Sequence, residues 1–194
     1  MLKRTLTLIA LALAAGLLSA ADFPQAQIKN GQIRATLCLP DAHKGYYRGT
    51  RFDWSGVIFS LEYKGHNYYG PWFDKTDPKV RDFVYDGPAI VAGACSAITG
   101  PAEEFLTNNR ALGYDEAKAG GTFIKIGVGV LRKPDAGNYD RFKLYEMVDP
   151  GKWTVKKNSD SIQFTQAVTD PSSGYAYIYR KTVRLTKGKP EMVL

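Results

Sequence analysis

Histidine, cysteine and methionine are scarce in this chain: two His, two Cys and three Met among 194 residues. No CxxC, HExxH or His/Cys cluster occurs, which argues against a dedicated zinc site, and no cofactor is expected. Past residue 21 there is no apolar run long enough to cross a bilayer, so no stable membrane span is expected in the remainder. Internal repeats, low-complexity stretches and linkers are also missing, which leaves one domain. Helical periodicity is poor. Charge is not segregated either. The densest basic stretch, Arg180 to Lys189, alternates with apolar strand residues and reads as a solvated strand face. Without a continuous basic stripe, nucleic acid is not an expected partner.

What is present is a well-mixed globular composition, 44% hydrophobic and 23% charged, with 12% aromatics including 12 Tyr. That favours strands and sites that stack flat ligands. Residues 1–21 read as a secretory signal. Lys3 and Arg4 precede the apolar run Leu6 to Leu18, and Ser19-Ala20-Ala21 supplies the small residues of a cleavage site. Cleavage near Ala21 leaves residues 22–194 as the domain, in the periplasm or outside the cell. The net charge falls from +7 to +5 when Lys3 and Arg4 leave. An oxidising compartment permits a Cys38–Cys95 disulfide, and two separate buried thiols are the alternative.

Alternating apolar residues predict strands at 32–39, with Ile33, Ala35, Leu37 and Leu39 inward, and at 56–63, with Val57, Phe59, Leu61 and Tyr63 inward. Lys64-Gly65-His66-Asn67 is the intervening turn, and Tyr68-Tyr69 starts a return strand. A uniformly apolar strand is expected at 123–131, with Gly127 and Gly129 where a backbone or ligand approaches. Further strands are expected at 141–148, alternating Phe142, Leu144 and Val148, around Trp153 and Val155, and through Ile162, Phe164 and Val168 on one face. The longest runs from Tyr175 to Leu185 and is lined by Tyr175, Tyr177, Tyr179, Val183 and Leu185. A last one covers 190–194. Glu103 to Leu112 has room for two or three helical turns, and 88–100 reads as a helix or a packed loop. Short strands with polar turns predict an all-β antiparallel sandwich.

Two regions resemble a known superfamily. From Trp153 onward, Ser161-Ile162-Gln163-Phe164-Thr165-Gln166 leads to an Asp-Pro-Ser-Ser-Gly loop at 170–174. The aromatic-rich strand Tyr175 to Leu185, a Lys187-Gly188-Lys189 turn and Pro190 to Leu194 follow. This is similar to the central meander of the galactose mutarotase-like (aldose 1-epimerase) superfamily. Trp54 to His66 resembles its first hairpin, and an uncharacterised secreted bacterial branch fits the pattern. The resemblance implies a large antiparallel β-sandwich with a sugar on its concave face. A carboxylate would take the proton of the anomeric hydroxyl and a His would protonate the ring oxygen. The family's Asn-His strand and late Glu match no position in these 194 residues. The expectation is therefore a sandwich incomplete at its C-terminus, its catalytic acid and base lying beyond Leu194.

Candidate site residues follow from local chemistry. Arg48, Arg51, Asp53 and Trp54 crowd a Gly turn. They can hydrogen-bond sugar hydroxyls while Trp54 stacks on the ring, or form an Arg–Asp brace with Trp54 in the core. Trp72, beside Phe73, has the same two roles open, a stacking platform or a plug. His43 lies near Tyr46-Tyr47 in a Pro/Gly-bounded loop, and His66 in a turn; solvent exposure is expected of both. Glu103 and Glu104 form an acid pair as at a helix start, and within these residues they are the weak catalytic candidates. Three function classes stay open. One is a sugar epimerase, an isomerase of carbohydrate metabolism. The others are a non-catalytic carbohydrate-binding or periplasmic module, and an accessory sandwich of a polysaccharide-processing enzyme. The ligand expected in each is a monosaccharide or oligosaccharide.

Overall fold

Alternation of side chains at the strand period builds two facing sheets. The computed structural model describes residues 23–72, 83–86, 89–93 and 100–194, with 83–86 and 89–93 as backbone. The described residues contain strands and turns and no helix, so the all-β class holds. The first sheet runs in order β1 (Gln25–Lys29), β2 (Ile33–Cys38), β3 (Val57–Tyr63) and β4 (His66–Asn67), all antiparallel neighbours. A second two-stranded piece pairs β5 (Phe83–Asp86) with β6 (Ala89–Gly93). A three-stranded sheet joins β7 (Thr122–Lys125), β8 (Gly129–Arg132) and β9 (Glu146–Asp149). The last is a meander of β10 (Lys152–Lys157), β11 (Ser161–Asp170), β12 (Tyr175–Leu185) and β13 (Met192–Val193).

The first and last sheets pack face to face. Ile28, Ile33, Ala35, Leu37 and Ile58 meet Ile162, Phe164, Val183 and Leu185 in one buried cluster. Each Ile, Leu, Val or Phe side chain among these, taken from water, stabilises the fold by about 2 kcal/mol before its entropy is set against it. The sheet ends are stitched by polar contacts. Asn30 donates to the carbonyls of Thr186 and Lys189, and Gln32 donates to that of Gly188. A second cluster, rich in aromatics, gathers Tyr46, Tyr47, Trp54, Trp72, Tyr114, Phe123 and Tyr145 around Val128 and Leu131. Ile124, Val130 and Val168 form a third, joining the three-stranded sheet to the far half of β11.

The β2, β10, β11 and β12 expectations match, down to the inward row Tyr175, Tyr177, Tyr179, Val183 and Leu185. Six others are corrected. The run 123–131 is two strands rather than one. Gly127 takes φ 81° and turns the chain, and Thr122 pairs with Arg132 across the resulting hairpin. The segment 103–112 is not a helix. Asn108 and Asn109 adopt φ 50° and 61° between bridged Thr107 and Arg110, a turn geometry that asparagine tolerates. The return strand after Lys64-Gly65 is His66–Asn67, because those two residues form the whole turn with φ 49° and 79°. Both Val57 and Ile58 are buried, since a bulge at Thr36/Leu37 and a second cluster cover both faces there. Within 141–148 only Glu146 onward is strand, and Phe142, Leu144 and Val148 are exposed. Part of 88–100 is β6. The expected signal at 1–21, Phe73 and Cys95 lie outside the described residues. No helix among the described residues is long and apolar enough to cross a membrane.

Candidate functional site

Three chain segments converge beside β12. The Asp53 amide donates to the Glu103 carbonyl at 2.8 Å, and the Trp54 amide to the Gly127 carbonyl at 3.0 Å. These bonds lash the loop before β3 to the 100–105 segment and to the β7–β8 turn. Gly127 is required there. A Cβ on it would lie 2.7 Å from Asp53 Oδ1.

Asp53, 3% exposed, is the first pole. Its Oδ1 accepts from the Ser55 amide at 2.9 Å. Its Oδ2 accepts from Ser55 Oγ at 2.6 Å, Tyr179 Oη at 2.9 Å and Lys181 Nζ at 3.4 Å. Burial pushes the Asp53 carboxyl up, against the pull of Lys181, Ser55 and Tyr179. Lys181 also donates to the Ser55 carbonyl at 3.0 Å and pairs with Glu103. Burial, and then the Asp53 charge, drives the Tyr179 hydroxyl above its ordinary range.

Glu104 is the second pole. Its Oε1 accepts from Lys125 Nζ at 2.8 Å. Its Oε2 accepts from Arg51 Nε at 3.2 Å and Arg141 Nε at 3.1 Å. Burial works to raise the Glu104 carboxyl, but the bonds from Arg141, Lys125 and Arg51 outweigh it and hold it below the usual carboxylate range. Lys125 is wholly buried, and it also donates to Tyr139 Oη at 2.9 Å. Desolvation lowers its ammonium, opposed by Glu104. Arg51 lies 4.5 Å from the ring centres of both Phe52 and Phe142.

The two adjacent glutamates therefore have different capacities. Glu104 is saturated with donors and its side chain is 6% exposed, so it is a poor proton acceptor and a strong organiser. Glu103 has a side chain 37% exposed and stands next to Phe105, whose ring meets that of Tyr179 at 5.3 Å. On the Glu104 side, Arg141 is exposed and Phe142, against Arg51, is 61% exposed. No group of three or more His, Cys, Asp or Glu among the described residues is placed to hold a metal ion.

Among the residues singled out from the sequence, Arg51, Asp53, Glu103 and Glu104 meet here. The others are placed elsewhere. Trp54 is 3% exposed and donates to the Gly49 carbonyl at 2.7 Å, so its indole is a core wedge and offers no ring to a ligand. Trp72, also 3% exposed, packs between Tyr47 and Phe52. Arg48 donates to the His43 carbonyl, bracing the loop that Asp41 caps, and His43 and His66 are exposed. Cys38 is a buried free thiol whose ionisation burial suppresses, while its expected partner Cys95 lies outside the described residues. Glu103 and Glu104 do not start a helix; a turn-rich loop carries them. Sequence reasoning passed over Lys125, Tyr139, Arg141 and Lys181. Lys181 was visible in principle. Alternation along β12 places it on the inward row, where a lysine needs a carboxylate partner. Two clefts lie away from this cluster. One, about 220 Å³, runs between the β1–β2 and β3–β4 turns. The other, about 320 Å³, lies among Glu116, Lys118, Thr122, Ser173 and Tyr175. The sequence matches no family model, no curated protein and no solved structure.

Proposed function

We propose that this chain is a carbohydrate-binding protein of the periplasm or cell exterior, where the leader-like residues 1–21 would send it, and that its ligand rests against Glu103, Arg141 and Phe142. The observation that carries the reading is the divergence of Glu103 and Glu104. Three cations hold one carboxylate as a fixed anchor, while its neighbour, paired with Lys181 alone among the described residues, keeps a side chain 37% exposed. A carboxylate and a guanidinium accept and donate to sugar hydroxyls, and a ring covers the apolar face of the sugar. The resemblance to galactose mutarotase-like sandwiches points to the same ligand class.

Ring opening at the anomeric carbon, as in aldose 1-epimerases, is the second reading. One observation favours it: Glu103 is the one carboxylate of the cluster open enough to take a proton from a bound hydroxyl. Polarimetry of freshly dissolved α-D-glucose and α-D-galactose, run beside calorimetric titration with the same sugars, tests both. Binding that weakens about tenfold in Phe142→Ala and Glu103→Gln supports the first reading. Accelerated mutarotation that Glu103→Gln abolishes supports the second. Binding without acceleration sinks the epimerase reading, and no binding by a range of sugars sinks both.

A further inference from the structure

The outward face of the last sheet carries charge that the linear sequence disperses. Residues of β10, β11 and β12 that point away from the core are fixed by register. Lys152, Ala167 and Ile178 form one cross-strand row, Thr154, Thr165 and Arg180 the next, and Lys156, Gln163 and Thr182 the third. Ser161 and Arg184 follow, with Val193 beyond Arg184. The cations Lys152, Arg180, Lys156 and Arg184 thus alternate between β10 and β12. Successive ones are offset by about 7 Å along the strands and about 10 Å across them, from ordinary strand geometry. All four are exposed. Among the described residues none of them has an ion-pair or side-chain hydrogen-bond partner. No Asp or Glu occupies an outward position on these three strands. Glu191, whose carbonyl accepts from the Thr186 amide, stands past the far end and makes no ion pair among the described residues.

We infer that this face binds a linear acidic polysaccharide, a chain of uronate type, laid along the zigzag of cations. A single exposed charge pair contributes little, but a row of like charges on a flat surface raises the local concentration of a polyanion and adds several contacts at once. The groups between the cations choose the kind of polyanion. Thr154, Thr165, Gln163 and Thr182 present hydroxyl and amide groups suited to a hydroxyl-rich chain. The outward positions of these strands carry no aromatic side chain on which bases could stack, and the large exposed apolar groups of the face are Ile178 and Val193, near opposite ends, too little for insertion among lipid tails. This surface lies opposite the buried face of the sheet and is independent of the Glu103–Glu104 cluster.

The test is titration of the protein with polygalacturonate and with neutral dextran of matched length. Binding to polygalacturonate alone is expected, falling at least about tenfold between about 50 and about 200 mM salt as the charges are screened. Replacing Lys152, Lys156, Arg180 and Arg184 together by Gln is expected to weaken it at least about tenfold. The pair Lys156→Gln and Arg180→Gln should give an intermediate loss. Circular dichroism and thermal melting establish that the variants remain folded. Undiminished binding in the fourfold variant overturns the inference. So does equal binding of dextran, or tighter binding of anionic phospholipid vesicles or duplex DNA than of polygalacturonate.

Discussion

Lys181 in β12 reaches Asp53, 128 residues earlier in the chain, and sets its ammonium 3.4 Å from the Asp53 carboxylate with both side chains buried. Lys181 also holds Glu103, so one lysine ties the loop before β3, the 100–105 segment and the last sheet together. Lys181→Met leaves Asp53 without its cation in a buried site. The expected loss of stability is about 3 kcal/mol by urea denaturation. Adding Asp53→Asn to that variant should recover part of it. An unchanged urea midpoint in Lys181→Met would show that the pair contributes nothing to folding.

Stability on the acid side should depend on Glu104. Its carboxyl is held below the ordinary range in the folded chain, so the unfolded state binds the proton more readily. The stabilisation is therefore complete above the unfolded value, about 4.5, and is lost as pH falls through the lower folded value. Asp53 works in the opposite sense: its raised carboxyl makes ionisation costly as pH rises. Melting temperatures measured from neutral pH down to about 3 should fall for the parent and fall less steeply for Glu104→Gln. Parallel curves would rule Glu104 out as a main contributor.

The Gly127 turn should resist any side chain. A Cβ there meets Asp53 Oδ1 at 2.7 Å and the residue has φ 81°. Gly31 has φ 89° but open space around its Cβ position. Gly31→Ala is expected to cost about 1 kcal/mol, from backbone strain alone, and Gly127→Ala about 3 kcal/mol. Chemical denaturation of the two variants side by side checks the difference, and equal losses would contradict the close approach to Asp53.

Gln166 is wholly buried and acts as a polar rivet. Its amide donates to the Val128 carbonyl at 3.0 Å and the Pro150 carbonyl at 2.9 Å, and its oxygen accepts from Tyr177 Oη at 2.6 Å. Gln166→Leu keeps the volume but takes the amide donor from the Val128 and Pro150 carbonyls and leaves Tyr177 Oη only the Lys125 carbonyl at 3.4 Å. A loss of about 2 to 3 kcal/mol is expected, with hydrogen exchange rising in the β7–β8 turn. Normal protection at Val128 would count against this role.

How much was legible in the sequence depends on how local each determinant is. The alternation of Ile162, Phe164 and Val168 and of Tyr175 to Leu185 gives β11 and β12 directly, because a strand's two faces are written at period two. The apolar run 123–131 misled, because uniform hydrophobicity carries no period and hides the turn at Gly127. The exposed Phe142 and Leu144 misled for the opposite reason: their spacing imitates a strand, yet they lie before β9, and the Phe142 ring packs on Arg51. Glu103 and Glu104 stood out as an acid pair, but their unequal states depend on Lys181 and Lys125, contributed by distant strands.

The sequence by itself determined the strand class, the positions of most turns and the inward row of β12, since side-chain alternation and turn chemistry act over a few residues. Only the tertiary structure decided that Asp53, Glu103, Glu104, Lys125 and Lys181 share one site, that Trp54 and Trp72 are core, and that Lys152, Lys156, Arg180 and Arg184 line one face. Those outcomes depend on register and on the packing of sheets whose residues are far apart in the chain. Charges separated by many residues become neighbours only when the buried apolar faces dictate how the sheets pack.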